Sequence, residues 1–283
     1  MQLAEGIITT TTFPLLSSDG PVSLLAGPDR VVVQPLDNVP GYVVPDGRPT
    51  TELAETTGKG GPALPGPDPD HFWVPTTSGT TTTLRLIGFD GTQTNTTMTV
   101  PADAGSLSPD HAGYVVFYGT GGIYDARPSG ITRITSGQLH ALGPTRWLSR
   151  ECDATYHCTA QVTDRATGVH RVLNVAISDY TQGGVISADG SRAAVLEGDS
   201  SSPATVHLID LNSGTDRATS ATLDPNLAYQ EGIFVWSPDS KWLFVTNGTG
   251  RLFAIEASAG TVVAIDTGAI GPVSQLALRT DST

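Results

Sequence analysis

Two kinds of turn signal alternate along this chain, and their spacing restricts the fold more than any other feature. The first is plainest in FVWSPDSKWLFV, Phe234 to Val245, where Ser-Pro-Asp-Ser separates two apolar runs. Serine first, proline second with its φ preset, and aspartate third suit a type I turn, so the chain reverses there. Related turns stand at GPDR (27–30), GPDP (66–69), SPDH (108–111), GPTR (143–146) and SADG (187–190). The second signal is a glycine between two strand-like runs, at Gly47, Gly91, Gly130, Gly168, Gly214 and Gly260. In VTDRATGV, IDLNSGT and IEASAGTV it follows Asp or Glu and then Ser, Thr or Ala. The glycines are 44, 39, 38, 46 and 46 residues apart, and one turn of the first kind falls in each interval.

Between these marks lie short runs rich in Val, Ile and Thr, among them RVVVQPL, TLRLIGF, GYVVFY, AAVLE, VHLIDL, WLFVTN and RLFAIEA. They read as strands, and no window carries the apolar spacing of a helix. With aromatics at only 6%, the core is built from aliphatic residues, and 32 Gly and 20 Pro supply many turns. A period near 40 with about four strands per unit predicts an all-β chain, a β-propeller of six recognisable blades in a single domain over 1–283. Inner strands of a blade are apolar on consecutive residues because both faces of each small sheet are covered by neighbours. GIITTTTF near the N-terminus and GPVSQLALR near the C-terminus are expected to meet and close the ring, within a six-bladed toroid or as a reduced seventh blade. ETTGKGGPALPGPDPD is expected to link two blades.

The segment WSPDSKWLFVTNGTGRLFAIEASAG resembles the WD40-like repeat of TolB-type propellers, whose typical form is W-S-P-D-G-K followed by an apolar strand. LSPDHAGYVVFY and ISADGSRAAVL match it more loosely, and the units around Gly27, Gly66 and Gly143 match in turn position only. The Gly-His and Trp-Asp dipeptides of true WD40 repeats are absent. The resemblance covers most of the chain and implies a fold, not a chemistry.

A net charge of −13 opposes binding to nucleic acid or an anionic membrane surface, and no run approaches the length of a spanning helix. Cys152 and Cys158 lie in RECDATYHCTAQV, and if RWLSREC and HCTAQV are the arms of a hairpin the two thiols meet across its mouth. Such a disulfide would contribute about 2 kcal/mol and implies an oxidising compartment. A metal pair is the competing reading, with His157 as the nearest further ligand. The start MQLAEGIITTTTF has no leader character, so an extracytoplasmic location implies a signal or anchor removed ahead of it.

No residue stands out as catalytic, cofactor-binding or metal-binding. GDSSS (198–202) and YGTGGIYD (118–125) fall where the period requires hairpin loops, and neither has the context of a nucleophile elbow or phosphate loop. His71, His111, His140, His157, His170 and His207 show no ligand spacing and read as exposed or hydrogen-bonded side chains. Asp68, Asp110, Asp189 and Asp239 are explained by turn chemistry, with a bound cation as the alternative. Asn95 and Asn247 open glycosylation sequons that equally fit turns. The expected function is a non-catalytic propeller, monomeric and without cofactor, that binds a protein, peptide or glycan. A channel enzyme with acids and histidines drawn from different blades, or a sensor ectodomain, are the alternatives.

Overall fold

The computed structural model describes residues 22–27, 30–35, 41–45, 51–53, 63–105, 107–199, 202–224, 232–247, 250–267 and 276–277. Among these there is no helix. The first sheet runs β1 (Val22–Ala26), β2 (Arg30–Pro35), β3 (Gly41–Pro45), β4 (Thr51–Leu53), and the second β5 (Leu64–Pro65), β6 (His71–Ser78), β7 (Thr81–Gly88), β8 (Gln93–Pro101). The third is β9 (Leu107–Pro109), β10 (Val115–Gly119), β11 (Gly122–Arg127), β12 (Gly130–Thr135). Next come β13 (Gln138–Leu142), β14 (Arg146–Cys152), β15 (Cys158–Asp164), β16 (His170–Leu173), then β17 (Thr181–Ile186), β18 (Arg192–Glu197), β19 (Ala204–Asp210), β20 (Asp216–Leu223). These eight form one curled sheet, two antiparallel meanders joined by their first strands through the parallel pair Leu142 and Val185. The last sheet is β21 (Phe234–Trp236), β22 (Trp242–Thr246), β23 (Leu252–Glu256), β24 (Val262–Ile265).

Each meander packs on the next, which gives a propeller-like arrangement of small sheets. The consecutive apolar runs are explained by this sandwiching. In β18, Ala193 and Val195 bury against the fourth meander, while Ala194 and Leu196, pointing the other way, bury against the last sheet. Phe72 and Val74 of β6 likewise face the first sheet, and Trp73 between them faces the third. A strand covered on both sides has no polar alternation to display.

The two turn signals prove to lie at the same end of the meanders, because strands alternate in direction and the signals occupy the first and third connections. In four meanders the residue just after the third strand donates its N–H into the first turn: Phe89 to Asp70, Arg165 to Thr145, Leu211 to Ser191, and Ala257 to Lys241. SADG and SPDS share one wiring. Gly190 N–H bonds Ser187 C=O and Ser240 N–H bonds Ser237 C=O, at 2.8 and 2.9 Å, while each serine hydroxyl donates to the aspartate two residues on. The fourth residue is left-handed in both, Gly190 at φ 70° and Ser240 at φ 58°. SPDH departs from this expectation: Ser108 and Pro109 belong to β9, and the reversal falls at Asp110 to Tyr114, closed by Asp110 N–H on Tyr114 C=O at 2.9 Å. The glycine signal is uniform in the three grouped examples, where Gly168, Gly214 and Gly260, all at positive φ, donate to Asp164, Asp210 and Glu256 four residues back.

The linker expected over ETTGKGGPALPGPDPD ends in structure, since Leu64–Pro65 is the first strand of the second sheet. Gly47, GIITTTTF and most of GPVSQLALR lie outside the described residues. Asn95 sits within strand β8 and not in a turn. The outermost strands β8 and β20, written QTNTTMTVP and DRATSATL, are largely exposed, which is why a search for apolar runs passes over them.

Candidate functional site

The two ends of the meanders differ in kind. At the turn end, arginines lace neighbouring meanders together. Arg30 donates to Phe89 C=O at 3.4 Å, Arg146 to Gly190 C=O at 2.9 Å and Asn212 Oδ1 at 3.1 Å, and Arg217 to Ser258 C=O at 2.7 Å. Arg171 donates to the carbonyls of Leu211 and Asn212. Arg165 reaches from the fourth meander to the third, bonding the carbonyls of Asp110 and Gly143 at 2.6 and 3.0 Å and the Asp110 carboxylate. It also stacks on the Trp147 ring, 4.9 Å from the centroid. Asp125 lies alongside, 3.9 Å from the same guanidinium and bonded to Arg127 Nε at 2.8 Å. Burial pushes the Asp125 carboxyl above its ordinary value, against the pull of the Arg127 hydrogen bond and with the Asp110 charge adding to the rise. One atom of this knot on each of three residues, Asp125 Oδ1, Arg165 Nε and Trp147 Nε1, is buried without a hydrogen-bond partner.

The aspartates singled out in the sequence lie at this end and are occupied by their own turns. Asp68 accepts from Asp70 N–H and from His71 Nδ1 at 2.6 Å, Asp189 from Ser187 and Ser191, Asp239 from Ser237 and Lys241. The Ser237 hydroxyl is the chief cause holding Asp239 below the usual carboxylate range, and the Ser213 N–H does the same for Asp210. Asp110 is the exception, since its carboxylate both caps its turn, through Ala112 and Tyr114 N–H at 2.7 Å each, and meets Arg165. Among the described residues no three His, Cys, Asp or Glu side chains gather as a metal-binding group.

The opposite end carries the second connection of each meander and the passages between meanders. Here the sequence motifs GDSSS and YGTGGIYD take their places, between β18 and β19 and between β10 and β11, with Ser200 and Ser201 outside the described residues. Cys152 and Cys158 are cross-strand partners at the mouth of the β14–β15 hairpin and are bonded. The loop that they close is organised by Asp153, whose Oδ1 accepts from the Thr155 N–H and hydroxyl and from His157 N–H at 2.7 to 2.9 Å. These bonds, the Thr155 hydroxyl first, hold the Asp153 carboxyl below its ordinary value. At the tip stands Tyr156, 90% exposed and in the left-handed region at φ 62°. A bulky residue there costs about 1 kcal/mol and persists because the surrounding loop enforces it.

Two further exposed tyrosines belong to the same end. Tyr180, 59% exposed, precedes β17, and Tyr118, 52% exposed, ends β10 beside the Gly119–Gly122 turn. Exposed aliphatic residues elsewhere, such as Ile131, Val172 and Val263, lie on outermost strands. Arg150, two residues short of Cys152, pairs with Asp179, next to Tyr180, and so ties the hairpin to the loop. Beneath this pair His140 is buried in β13, its Nδ1–H donating to Thr181 C=O at 2.9 Å and its Nε2 without a partner. Burial lowers the His140 pKa. The carboxylate of Glu197 accepts the hydroxyls of Ser178 and Thr181, completing the floor. Of the other histidines, His207 bonds Asp216 at 3.0 Å, which raises its pKa, and His170 lies on an outermost strand.

The tyrosines were not singled out by sequence. Their signal was weak: Asp-Ala-Thr-Tyr-His between two cysteines marks a tight loop, but only the backbone angle and the common end of the fold give Tyr156 its prominence.

No protein-family model matches the sequence. No curated protein matches it either. Among solved structures, the fold is similar to TolB from Acinetobacter baumannii, with TM-score 0.50 and 15% identity over 87% of this chain. The chain spans 64% of that protein's length. It is also similar to a chain of the mitotic checkpoint complex, with TM-score 0.57 and 17% identity over 96% of this chain and 93% of that one. A third similar structure is oligogalacturonate lyase in complex with manganese, with TM-score 0.55 and 10% identity over 85% and 74%. At these identities the likeness is one of fold alone, and that fold is the β-propeller, with TolB among the similar structures.

Proposed function

We propose that this chain is an extracytoplasmic, non-catalytic propeller, one domain of six four-stranded blades over 1–283, that binds a protein, peptide or glycan through the hairpin end. The blade count treats the eight-stranded sheet as two blades whose innermost strands touch, as innermost strands do around a central axis. The bond from Leu276 N–H to Gly232 C=O at 2.8 Å supports a C-terminal strand beside the last innermost strand, the expected partner in closing the ring. A disulfide at an exposed hairpin mouth supports an oxidising compartment.

One observation carries the binding reading: Tyr156 stands exposed, in a left-handed backbone conformation, at the tip of a loop closed by the disulfide and capped by Asp153. Preorganised aromatic anchors bind with little loss of side-chain entropy, and tyrosine is enriched where binding energy concentrates. The test is photocrosslinking in the producing cells, with a benzophenone amino acid at position 156 or, at the turn end, at position 259. A discrete adduct from 156 and none from 259 is expected. Equal adducts from both, or none from 156, overturn the reading.

A further inference from the structure

We propose that the hairpin end of the fourth and fifth meanders recognises a cationic segment of a protein partner, seating a Lys or Arg side chain against the Tyr156 and Tyr180 rings. This rests on the binding reading above and names the chemistry of what is bound. The charge around the two tyrosines is one-sided. Within 150–158, 178–181 and 197–199 stand Glu151, Asp153, Asp179, Glu197 and Asp199, against a single arginine. That arginine, Arg150, is spent on Gln138 and Asp179. Asp153 remains ionised well into acid because its loop holds its carboxyl below the ordinary value. Five further arginines, Arg30, Arg146, Arg165, Arg171 and Arg217, are committed to the turn end.

The tyrosine rings supply the other half of the fit. A cation over an exposed tyrosine face is attracted by the ring quadrupole, and the guanidinium of arginine stacks there as well. The fold itself uses this contact twice where rings are covered, with Arg127 5.0 Å from the Tyr114 centroid and Arg165 on Trp147. Among the described residues no cation lies over Tyr156 or Tyr180, and their exposure leaves the rings open to one from outside. The net charge of −13 steers a basic partner towards the molecule, and the carboxylates with the rings fix where it docks.

The probe is an acetylated, amidated (Gly-Arg)4 peptide, with (Gly-Gln)4 and (Gly-Glu)4 as controls, titrated into the folded chain carrying labelled tyrosine rings for NMR. Saturable shifts of Tyr156 and Tyr180 with (Gly-Arg)4 alone are expected. Tyr156→Ala weakens that binding about two- to fivefold, the effect of one exposed cation–π contact, and rising salt weakens it further. Because Tyr156→Ala leaves the backbone strain as it is and removes a ring that is 90% exposed, its stability is expected to hold, and urea unfolding verifies this. Shifts confined to turn-end residues, or equal shifts with (Gly-Gln)4, overturn the proposal. A position-156 adduct with a protein together with no response to (Gly-Arg)4 sinks the cationic segment while leaving the binding reading intact.

Discussion

The fourth meander ends in an arginine–carboxylate pair at either side, and the two pairs differ in almost everything but chemistry. At the turn end Arg165 meets Asp110 with the side chains 4% and 0% exposed. At the hairpin end Arg150 meets Asp179 with exposures of 16% and 69%. The first pair is enclosed between two sheets, shares its guanidinium with two backbone carbonyls and an indole ring, and stands where, among the described residues, the neighbouring apolar core is smallest, made of Val116, Ile123, Leu142 and Trp147. The second keeps one partner in water. One end of the molecule therefore uses its arginines to hold sheets together, and the other leaves its carboxylates and tyrosines facing out. On the function proposed above, stability and recognition fall to opposite ends.

Substitutions break the comparison most sharply at the buried pair. Arg165→Ala leaves the buried Asp110 carboxylate without its cation and Asp125 with Arg127 alone, and is expected to cost about 3–5 kcal/mol, read as a lower urea midpoint. Asp179→Ala, the counterpart at the hairpin end, is expected to cost under about 1 kcal/mol. Equal losses would show that the two ends share the structural work. Next in size, Cys152→Ser with Cys158→Ser is expected to cost about 2 kcal/mol by the chain-entropy argument. It should also abolish the position-156 adduct while leaving the turn-end arginine contacts in place, as followed by hydrogen exchange.

The third prediction concerns pH. His140 is neutral in the fold and its pKa is lowered by burial, so the unfolded chain binds more protons as pH falls below the ordinary histidine value of about 6.5. Its contribution to stability is complete above that value and is lost as pH falls through it towards the folded pKa. His140→Gln should therefore flatten the decline in stability between about pH 7 and pH 5, by no more than about 1.4 kcal/mol per pH unit. His207, whose pKa is raised by Asp216, works in the opposite sense and is common to both proteins, so the difference isolates His140. An unchanged slope would remove His140 from the account of this seam. The smallest effect is expected at Tyr156→Gly, which relieves the left-handed strain and should gain up to about 1 kcal/mol less any added unfolded-state entropy. Binding should nonetheless weaken, as it does for Tyr156→Ala. A stability loss there would mean that the ring packs, and the contrast between the ends would blur.

Much of the fold was legible in the chain because its turns are closed by residues two to five positions apart. Ser187, Asp189 and Gly190, or Asp164, Thr167 and Gly168, carry their whole hydrogen-bonding scheme within a few residues, so the letters alone announce the reversal. The cysteine pair was legible for the same reason. SPDH misled by two residues: Ser108 and Pro109 pair in β9, the turn closes between Asp110 and Tyr114, and Asp110 also meets Arg165, 55 positions away, a partner that no local pattern announces. The threonine-rich outermost strands escaped notice because nothing covers their outer edge, so no apolar pattern is required of them.

By itself, then, the order of residues determined where the backbone reverses and that its strands are covered on both faces, since local hydrogen bonds and side-chain alternation need no distant partner. Tertiary structure decided that both turn signals share one end, that Arg165 is buried and Arg150 is not, and that Tyr156 and Tyr180 are exposed at the opposite end. Those outcomes depend on which sheet lies against which, and burial and electrostatic fields are set by neighbours that the chain brings together only when the sheets pack.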